Sequence, residues 1–286
     1  MAQPAATVRH EGYRFLEVRP VAGSLGAEIA GVDLTRLNDD IFDEVYRAFV
    51  DYQAIIIRDQ KLDPDQYLAF ARRWGGIKLY PYMKGLDSHP EVLEILKTEK
   101  DTYAFGNVWH TDSSFTPVPP KATMLYALEL PPAGGDTMFA NMYAAYDTLS
   151  DGMKALLATL RVYNVGHQPL GRFKEVSGMA QKDPGDTQVT AVHPAVRTHP
   201  DTGRKALFVS GHTIQFDGLT RDESTPLLGF LKSHAIRPEF TCRHRWEVGS
   251  LAIWDNRCTQ HYAVDDYAGH RRRMHRITIE GEEAPY

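Results

Sequence analysis

The sequence predicts a mainly β fold with flanking helices, a β-sandwich or jelly-roll barrel. Three features lead there. Beyond Pro90 the chain is dominated by short β-like runs, many of them separated by turn signals such as PPAGGD (131–136) and HPDTGR (199–204). Helical periodicity is confined to a few segments. No internal repeat or low-complexity tract interrupts the pattern, so residues 1–286 are expected to form one domain.

The elements follow in order. Residues 13–33 mix short β-like runs with glycine punctuation. A helix is predicted over Asp39–Tyr52, where Ile41, Val45, Ala48, Phe49 and Tyr52 form one apolar stripe. The β-branched run in AIIIRDQ suits a buried strand. In LDPDQYLAFARRWGG, Asp63 caps a helix, Pro64 fits its first position, Gln66 completes a capping box and Gly75 stops it. Strands are then expected in VLEIL, NVWHTDSSF, KATMLYAL, DTMFAN, RVYNVG, AVHPAVRTH, KALFVS, SLAIWD and HRITIEG. Two helices interrupt them. One follows Ser150 with Leu156, Leu157 and Leu160 as its apolar face; the other follows Thr220, where TRDE offers a capping box and Pro226 an alternative start.

Bulk composition excludes several classes. With 43% hydrophobic and 24% charged residues, the chain has an ordinary globular balance. A net charge of −5 gives no basic field for nucleic acid or an anionic membrane surface. No signal-like N-terminal run and no 18-residue apolar segment is present, which points to a cytoplasmic protein. Two cysteines, Cys242 and Cys258, indicate neither a disulfide framework nor a cysteine zinc site.

The stretch NVWHTDSSF (107–115) raises the chemical question. If it is a strand, His110 and Asp112 point to the same face. Such a pair in an interior is costly unless something there binds it, and a metal ion is the candidate. Of the twelve histidines, His10, His89, His199, His234, His244 and His270 lie in polar or turn-rich surroundings and read as surface residues. His167 and His193 have no partner at metal-ligand spacing. His261 follows SLAIWDNRCTQ, whose alternation suggests a buried strand, and is placed to lean into a barrel mouth. Together His110, Asp112 and His261 make the two-histidine, one-carboxylate set of non-heme Fe(II) sites, with zinc as the competing metal. Further on, a strand over 271–280 would put Arg272, Met274 and Arg276 on one face, the two arginines roughly 13 Å apart at ~3.3 Å per residue. They read either as two forks for anionic groups or as part of a solvated basic edge with Arg271 and Arg273.

HTD, the GGDT turn (134–137) and WDNRCTQHYAVDDYAGHRRRMHR closely resemble the Fe(II)/2-oxoglutarate-dependent taurine dioxygenase and 2,4-dichlorophenoxyacetate dioxygenase family, over nearly the whole chain from GSLGAEIAGVDL to HRITIEG. The resemblance implies a double-stranded β-helix (jelly roll) with outer helices, and Fe(II), 2-oxoglutarate and O2 as cofactor and co-substrates. It implies that His110, Asp112 and His261 ligate the iron and serve as the catalytic centre. Thr137 and Arg272 would hold the far carboxylate of 2-oxoglutarate, and Arg276 the anionic group of the substrate. The chain departs from taurine dioxygenase in GGIKLYPYMKG, where Tyr80 and Met83 take the places of a substrate-binding histidine and tyrosine. A substrate-contacting asparagine has its nearest equivalent at Gly106 or Asn107. The segments PYMKGLDSHPEV and EFTCRHRW look more like the aryloxyalkanoate dioxygenases. A pocket walled by Tyr80, Tyr82, Met83 and Phe115 would suit an apolar body behind an anionic head.

The expected activity is hydroxylation of a small organic anion (a sulfonate, alkyl sulfate or aryloxyalkanoate), with C–S or C–O cleavage and release of succinate and CO2. Trp109 and Trp254 are expected to shield the centre, and Cys258 to be a small buried hydrophobe. The family also implies a homo-oligomer. A zinc hydrolase using the same triad is the competing enzyme class, but it leaves Arg272, Thr137 and the GGDT turn without a role. A jelly-roll binding module with a vestigial ligand set is the non-enzymatic one.

Overall fold

The computed structural model describes residues 12–80, 83–166 and 189–286. Tyr82, His10 and His167 lie outside the described residues. Most regular structure is β. Strands β1 (Glu17–Pro20), β2 (Ala27–Ala30), β3 (Ala54–Ile57), β4 (Leu93–Lys97), β5 (Ala122–Glu129), β13 (Leu251–Asp255) and β15 (Arg272–Ile279) form a seven-stranded sheet in the order β1-β2-β3-β13-β5-β15-β4. A second sheet has the order β12-β6-β14, from β12 (Thr241–His244), β6 (Thr137–Asn141) and β14 (Thr259–Ala263). A third joins β11 (Thr213–Phe216), β7 (Arg161–Val165) and β8 (Thr190–Pro194), and β9 (Val196–Thr198) pairs with β10 (Lys205–Leu207).

Alternation along the large sheet sets two layers of core. Ile55, Ile57, Met124, Tyr126, Leu251, Ile253, Ile277 and Ile279 point outward under α1 (Asp39–Tyr52) and α2 (Pro64–Arg72). Their neighbours Ala54, Ile56, Leu125, Ala127, Ala252, Trp254 and Met274 point the other way and meet Phe139 and Cys242 of the second sheet. A strand buried on both faces therefore reads as a continuous apolar run, as in Ala54–Ile57. A third cluster gathers α3 (Met142–Asp147), α4 (Asp151–Leu157) and α5 (Arg221–Ala235) against the smaller sheets.

Helix boundaries follow their caps. Helix α1 is capped by Asn38, whose side chain accepts from the Ile41 N–H, and it covers the predicted span. Asp63 and Gln66 form the expected reciprocal box at α2, with distances of 2.8 and 3.0 Å. Thr220 and Glu223 form another at α5, so that helix starts five residues before Pro226. In α4 only Leu157 is fully buried while Leu156 is 45% exposed, because adjacent helical residues diverge by ~100° and cannot both face the core.

Other expectations are corrected. NVWHTDSSF is not a strand: His110 makes an isolated bridge to His261, and the chain then turns, with Ser113 at φ 45°. Strands β11, β12 and β14, short and rich in polar residues, and the six-residue helix α3 were not anticipated. His199 and His244 are not on the surface but 1% and 2% exposed. His199 is buried because Nε2 meets Asp255 at 3.0 Å, a partner 56 residues away. Among the described residues no helix is long and apolar enough to cross a membrane.

Asp255 closes β13 and is fully buried. Its carboxylate accepts from the Arg257 side chain at 2.8 and 2.7 Å as well as from His199. Burial alone would push its pKa up, but Arg257 and His199 outweigh burial and hold it well below the ordinary carboxylate range. A carboxyl whose pKa is depressed by folding stabilises fully above its unfolded pKa, and that contribution is lost as pH falls. Asp255→Asn is expected to cost about 3 kcal/mol in denaturant unfolding at neutral pH, by leaving buried Arg257 with Asp201 as its remaining counter-charge. The loss should shrink in acid, and an unchanged stability at neutral pH would refute the assignment.

Candidate active site

The bridge between His110 and His261 places the first two ligand groups. Each backbone N–H donates to the other residue's carbonyl, at 3.0 and 2.9 Å, which holds the imidazoles side by side with ring centroids 4.1 Å apart. Thr111 ties the next residue down through its hydroxyl to the Thr259 carbonyl. The turn after Thr111 then brings Asp112 back, with Oδ1 at 3.5 Å from His110 Nε2 and 3.7 Å from His261 Nε2. Two ligands at ~2.1 Å from one ion at right angles are roughly 3 Å apart, so this set needs little adjustment to hold a metal.

Protonation states suit that role. His110 Nδ1 lies 2.6 Å from the Val108 carbonyl, to which it donates as N–H, leaving Nε2 with a free lone pair. Burial and the neighbouring His110 push the His261 pKa well down, so the ring is neutral. Burial works against ionised Asp112, but Arg276, His261 and His110 overcome it and hold the carboxyl well below its usual range. The Arg276 Nη2 is 2.8 Å from Asp112 Oδ1. On the other oxygen, Thr123 Oγ1 donates at 2.7 Å, and Asn256 Nδ2 donates to Thr123 at 2.9 Å. This relay from Asn256 through Thr123 to Asp112 was not legible in the sequence, where Thr123 reads as one more strand residue.

A cavity opens at the triad, lined by His110, His261, Trp254, Thr137, Arg272 and Arg276, with Ile95, Phe105, Gly106, Leu125 and Ala263 as its apolar share. Both arginines enter from β15, on the same face as Met274, and both are buried. The alternative of a solvated edge fits only Arg271 and Arg273, which pair with exposed Glu99 and with Glu94. Arg272 Nε and Nη2 have no hydrogen-bond partner among the described residues, and burial lowers the guanidinium's pKa. Gly135, in the GGDT turn at φ 72°, allows that side chain past: a Cβ there would sit 3.2 Å from Arg272 Cδ. Thr137 Oγ1 accepts from the indole of Trp246 at 3.0 Å.

The substrate-side expectations fare unevenly. Tyr80 and Met83 line a smaller recess on the other side of Arg276, whose guanidinium lies 5.7 Å from the Tyr80 ring. Phe115 is buried against His212, 5.0 Å between rings, and does not line the triad cavity. Asn107 does not line it either; Gly106, at φ 86°, does. Phe105, stacked edge-on to Tyr80 at 6.4 Å, supplies the aromatic wall instead. Trp254 packs on His261 at 4.6 Å as expected, whereas Trp109 stacks on Tyr262 beside the outer core. His212, whose ring meets His110 edge-on at 5.7 Å, is kept neutral by burial, with its pKa pushed down to about 3.

Other features compete with this cavity on size or composition. A cleft of about 680 Å³ runs along β2 and the end of β3, but its one buried polar side chain, Gln60, already has hydrogen-bond partners on both amide atoms. His199, Asp255 and Cys258 also lie close enough to share an ion. There the carboxylate is already saturated by Arg257 and His199, and burial keeps the Cys258 thiol protonated. Cys258 is the small buried hydrophobe the sequence suggested.

Two buried arginines beside a triad of two histidines and a carboxylate make a site able to hold a metal ion. Comparison with known proteins agrees. The family model described as "Taurine catabolism dioxygenase TauD, TfdA family" matches residues 17–278, and the chain belongs to that family. An alpha-ketoglutarate-dependent sulfate ester dioxygenase of Pseudomonas putida is 35% identical over 274 residues, covering 93% of this chain and 90% of that one. An (S)-phenoxypropionate/alpha-ketoglutarate-dioxygenase of Sphingobium herbicidovorans is 31% identical over 287 residues, covering 94% and 96%. The crystal structure of a taurine dioxygenase from Burkholderia xenovorans superposes with a TM-score of 0.82 at 34% identity, over 95% of this chain and 91% of that one. The protein is a 2-oxoglutarate-dependent non-heme iron dioxygenase, using Fe(II), 2-oxoglutarate and O2.

Thr123→Val removes the donor to Asp112 while keeping the residue's shape. It is expected to weaken Mn(II) binding, read by calorimetry, about ten- to hundredfold, the usual effect of losing a hydrogen bond that orients a ligand. Unchanged affinity would show that the relay does not orient the carboxylate.

Proposed function

We propose that His110, Asp112 and His261 hold the iron, that Thr137 and Arg272 hold the distal carboxylate of 2-oxoglutarate, and that Arg276 receives the anionic head of the primary substrate. The observation that carries this reading is the placement of two buried guanidinia on one strand, both facing the cavity that holds the triad. Among the described residues both guanidinia leave Nε and Nη2 without a hydrogen-bond partner; Arg272 shares its end of the cavity with Thr137, which suits a carboxylate, while Arg276 is the one near Asp112. A hydrolase would leave the Arg272 and Thr137 end of the cavity without a ligand, and a vestigial binding module would not need the Asp112 relay.

The substrate is a small organic anion of the sulfonate, alkyl sulfate or aryloxyalkanoate classes, those that the relatives' names specify. When bound with O2, iron and 2-oxoglutarate supply the oxidising power to hydroxylate a C–H bond, 2-oxoglutarate leaving as succinate and CO2. The chain's own part is positioning. Arg276 fixes the head group, Phe105, Leu125 and Ile95 exclude water from the body, and Trp254 shields the His261 side. Hydroxylation at a carbon bearing oxygen or sulfur gives an adduct that collapses with C–O or C–S cleavage. Tyr80 and Met83, behind Arg276, tune how far that guanidinium reaches. The same reading carries a double-stranded β-helix architecture, a single domain over 1–286, a cytoplasmic homo-oligomer, and no nucleic-acid or membrane partner.

Anaerobic addition of Fe(II) and 2-oxoglutarate is expected to give a visible charge-transfer band that requires both. Asp112→Ala should abolish the band and all O2 consumption, and retained turnover would remove the triad from the reaction. Arg276→Ala should keep the band, because the metal replaces the guanidinium as counter-charge to Asp112. It should raise the primary substrate's KM about ten- to hundredfold, the ~1.5–3 kcal/mol of a hydrogen bond to a charged group. Loss of 2-oxoglutarate binding in that variant would mean that the two arginines have exchanged roles. A succinate-release screen over the three substrate classes identifies the substrate.

A further inference from the structure

Trp246 lies two residues beyond β12 and is 6% exposed. It touches both residues assigned to the co-substrate's distal carboxylate. Its indole Nε1 donates to Thr137 Oγ1 at 3.0 Å, and its ring lies 5.6 Å from the guanidinium carbon of Arg272. His244 packs on its other side, rings 4.5 Å apart, so the indole is held from behind.

The direction of the hydrogen bond matters. An indole N–H only donates, whereas a hydroxyl has one donor and two acceptor sites. Trp246 therefore occupies an acceptor site of Thr137 and cannot take its proton. Among the described residues the Thr137 hydroxyl has no acceptor, and it lines the cavity. Arg272 Nε and Nη2 likewise lack acceptors. With one acceptor site taken by the indole, the Thr137 proton is barred from the Trp246 side and is free to point into the cavity, where an ionised carboxylate, which only accepts, would complete the set. Without the indole N–H, Thr137 could turn its proton inward and offer a lone pair to an anion, which is repulsive.

We propose that Trp246 is a positioning residue for the co-substrate subsite. Its N–H sets the Thr137 hydroxyl as a donor toward the distal carboxylate, and its ring face fixes the guanidinium of Arg272. The inference rests on the assignment of Thr137 and Arg272 to 2-oxoglutarate.

Trp246→Phe keeps an aromatic face and removes the N–H; Thr137→Ala removes the hydroxyl it acts on. Binding of 2-oxoglutarate to the Mn(II)-loaded full chain is measured by calorimetry for wild type, both single variants and the double variant. Trp246→Phe is expected to raise the Kd about three- to tenfold, the size of one neutral hydrogen bond. In the Thr137→Ala background the same change should cost less than about twofold, because nothing remains to orient. With saturating 2-oxoglutarate, kcat and the primary substrate's KM should be unchanged by Trp246→Phe, a split that general loosening of the fold would not give. If Trp246→Phe does not fold, a benzothiophene analogue of tryptophan at position 246 removes only the N–H and is read in the same way. An unchanged Kd in the wild-type background, or an equal loss in both backgrounds, overturns the proposal. Should Thr137→Ala itself bind 2-oxoglutarate as wild type does, the subsite assignment falls instead, which keeps the two failures apart.

Discussion

A carboxylate 3% exposed, two imidazoles and two guanidinia are gathered between the sheets of a β fold, and their burial is the constraint that organises the molecule. Removing a charge from water costs several kcal/mol unless a partner replaces the lost solvation. Around Asp112 the partners come from four separate stretches of chain: Arg276 on β15, Thr123 on β5, and the two histidines joined by their backbone bridge. The sheet makes this affordable. Its strands cannot shift by one residue without turning every inward side chain outward, so Arg272 and Arg276 are locked on the cavity face by the same register that sends Ile277 and Ile279 under the outer helices.

The turn between β13 and β14 is the second support. It carries Asp255, Asn256 and Arg257 between Trp254 on one side and His261 on the other. Asp255 and Arg257 are anchored to each other, to His199 and to Asp201, while Asn256 feeds the relay that ends on Asp112. One short segment thus fixes one member of the triad at its far end and orients another through space. This explains why a dense ion network lies next to a reaction centre without taking part in the chemistry: its donors and acceptors are used up among themselves.

The cavity divides its labour between its two ends. The Arg272 end is walled by Trp246, Thr137 and the GGDT turn, and among the described residues the guanidinium's Nε and Nη2 find no acceptor there. The Arg276 end is shared with Asp112 on one side and the Tyr80 ring on the other, so its guanidinium has less freedom to grip a second anion and more contact with apolar and aromatic surface.

Much of this was legible before any coordinates. Helices α1, α2 and α5 follow from caps and periodicity, since those signals are local, while HTD pointed to His110 and Asp112, and the long C-terminal motif to His261 and both arginines, residues that the fold brings together. The alternation of Arg272, Met274 and Arg276 against Ile277 and Ile279 assigned the faces of β15 correctly, because the side-chain period of a strand is fixed by covalent geometry. Tertiary structure alone decided the rest. His110 and Asp112 converge through a bridge and a turn rather than through the pleat of a strand. His199 is buried by an aspartate far along the chain, and Thr123 and Trp246 gain their roles only from what stands opposite them. Those contacts join residues from 11 to 109 positions apart, and spacing in a sequence carries no record of a distance that only packing creates.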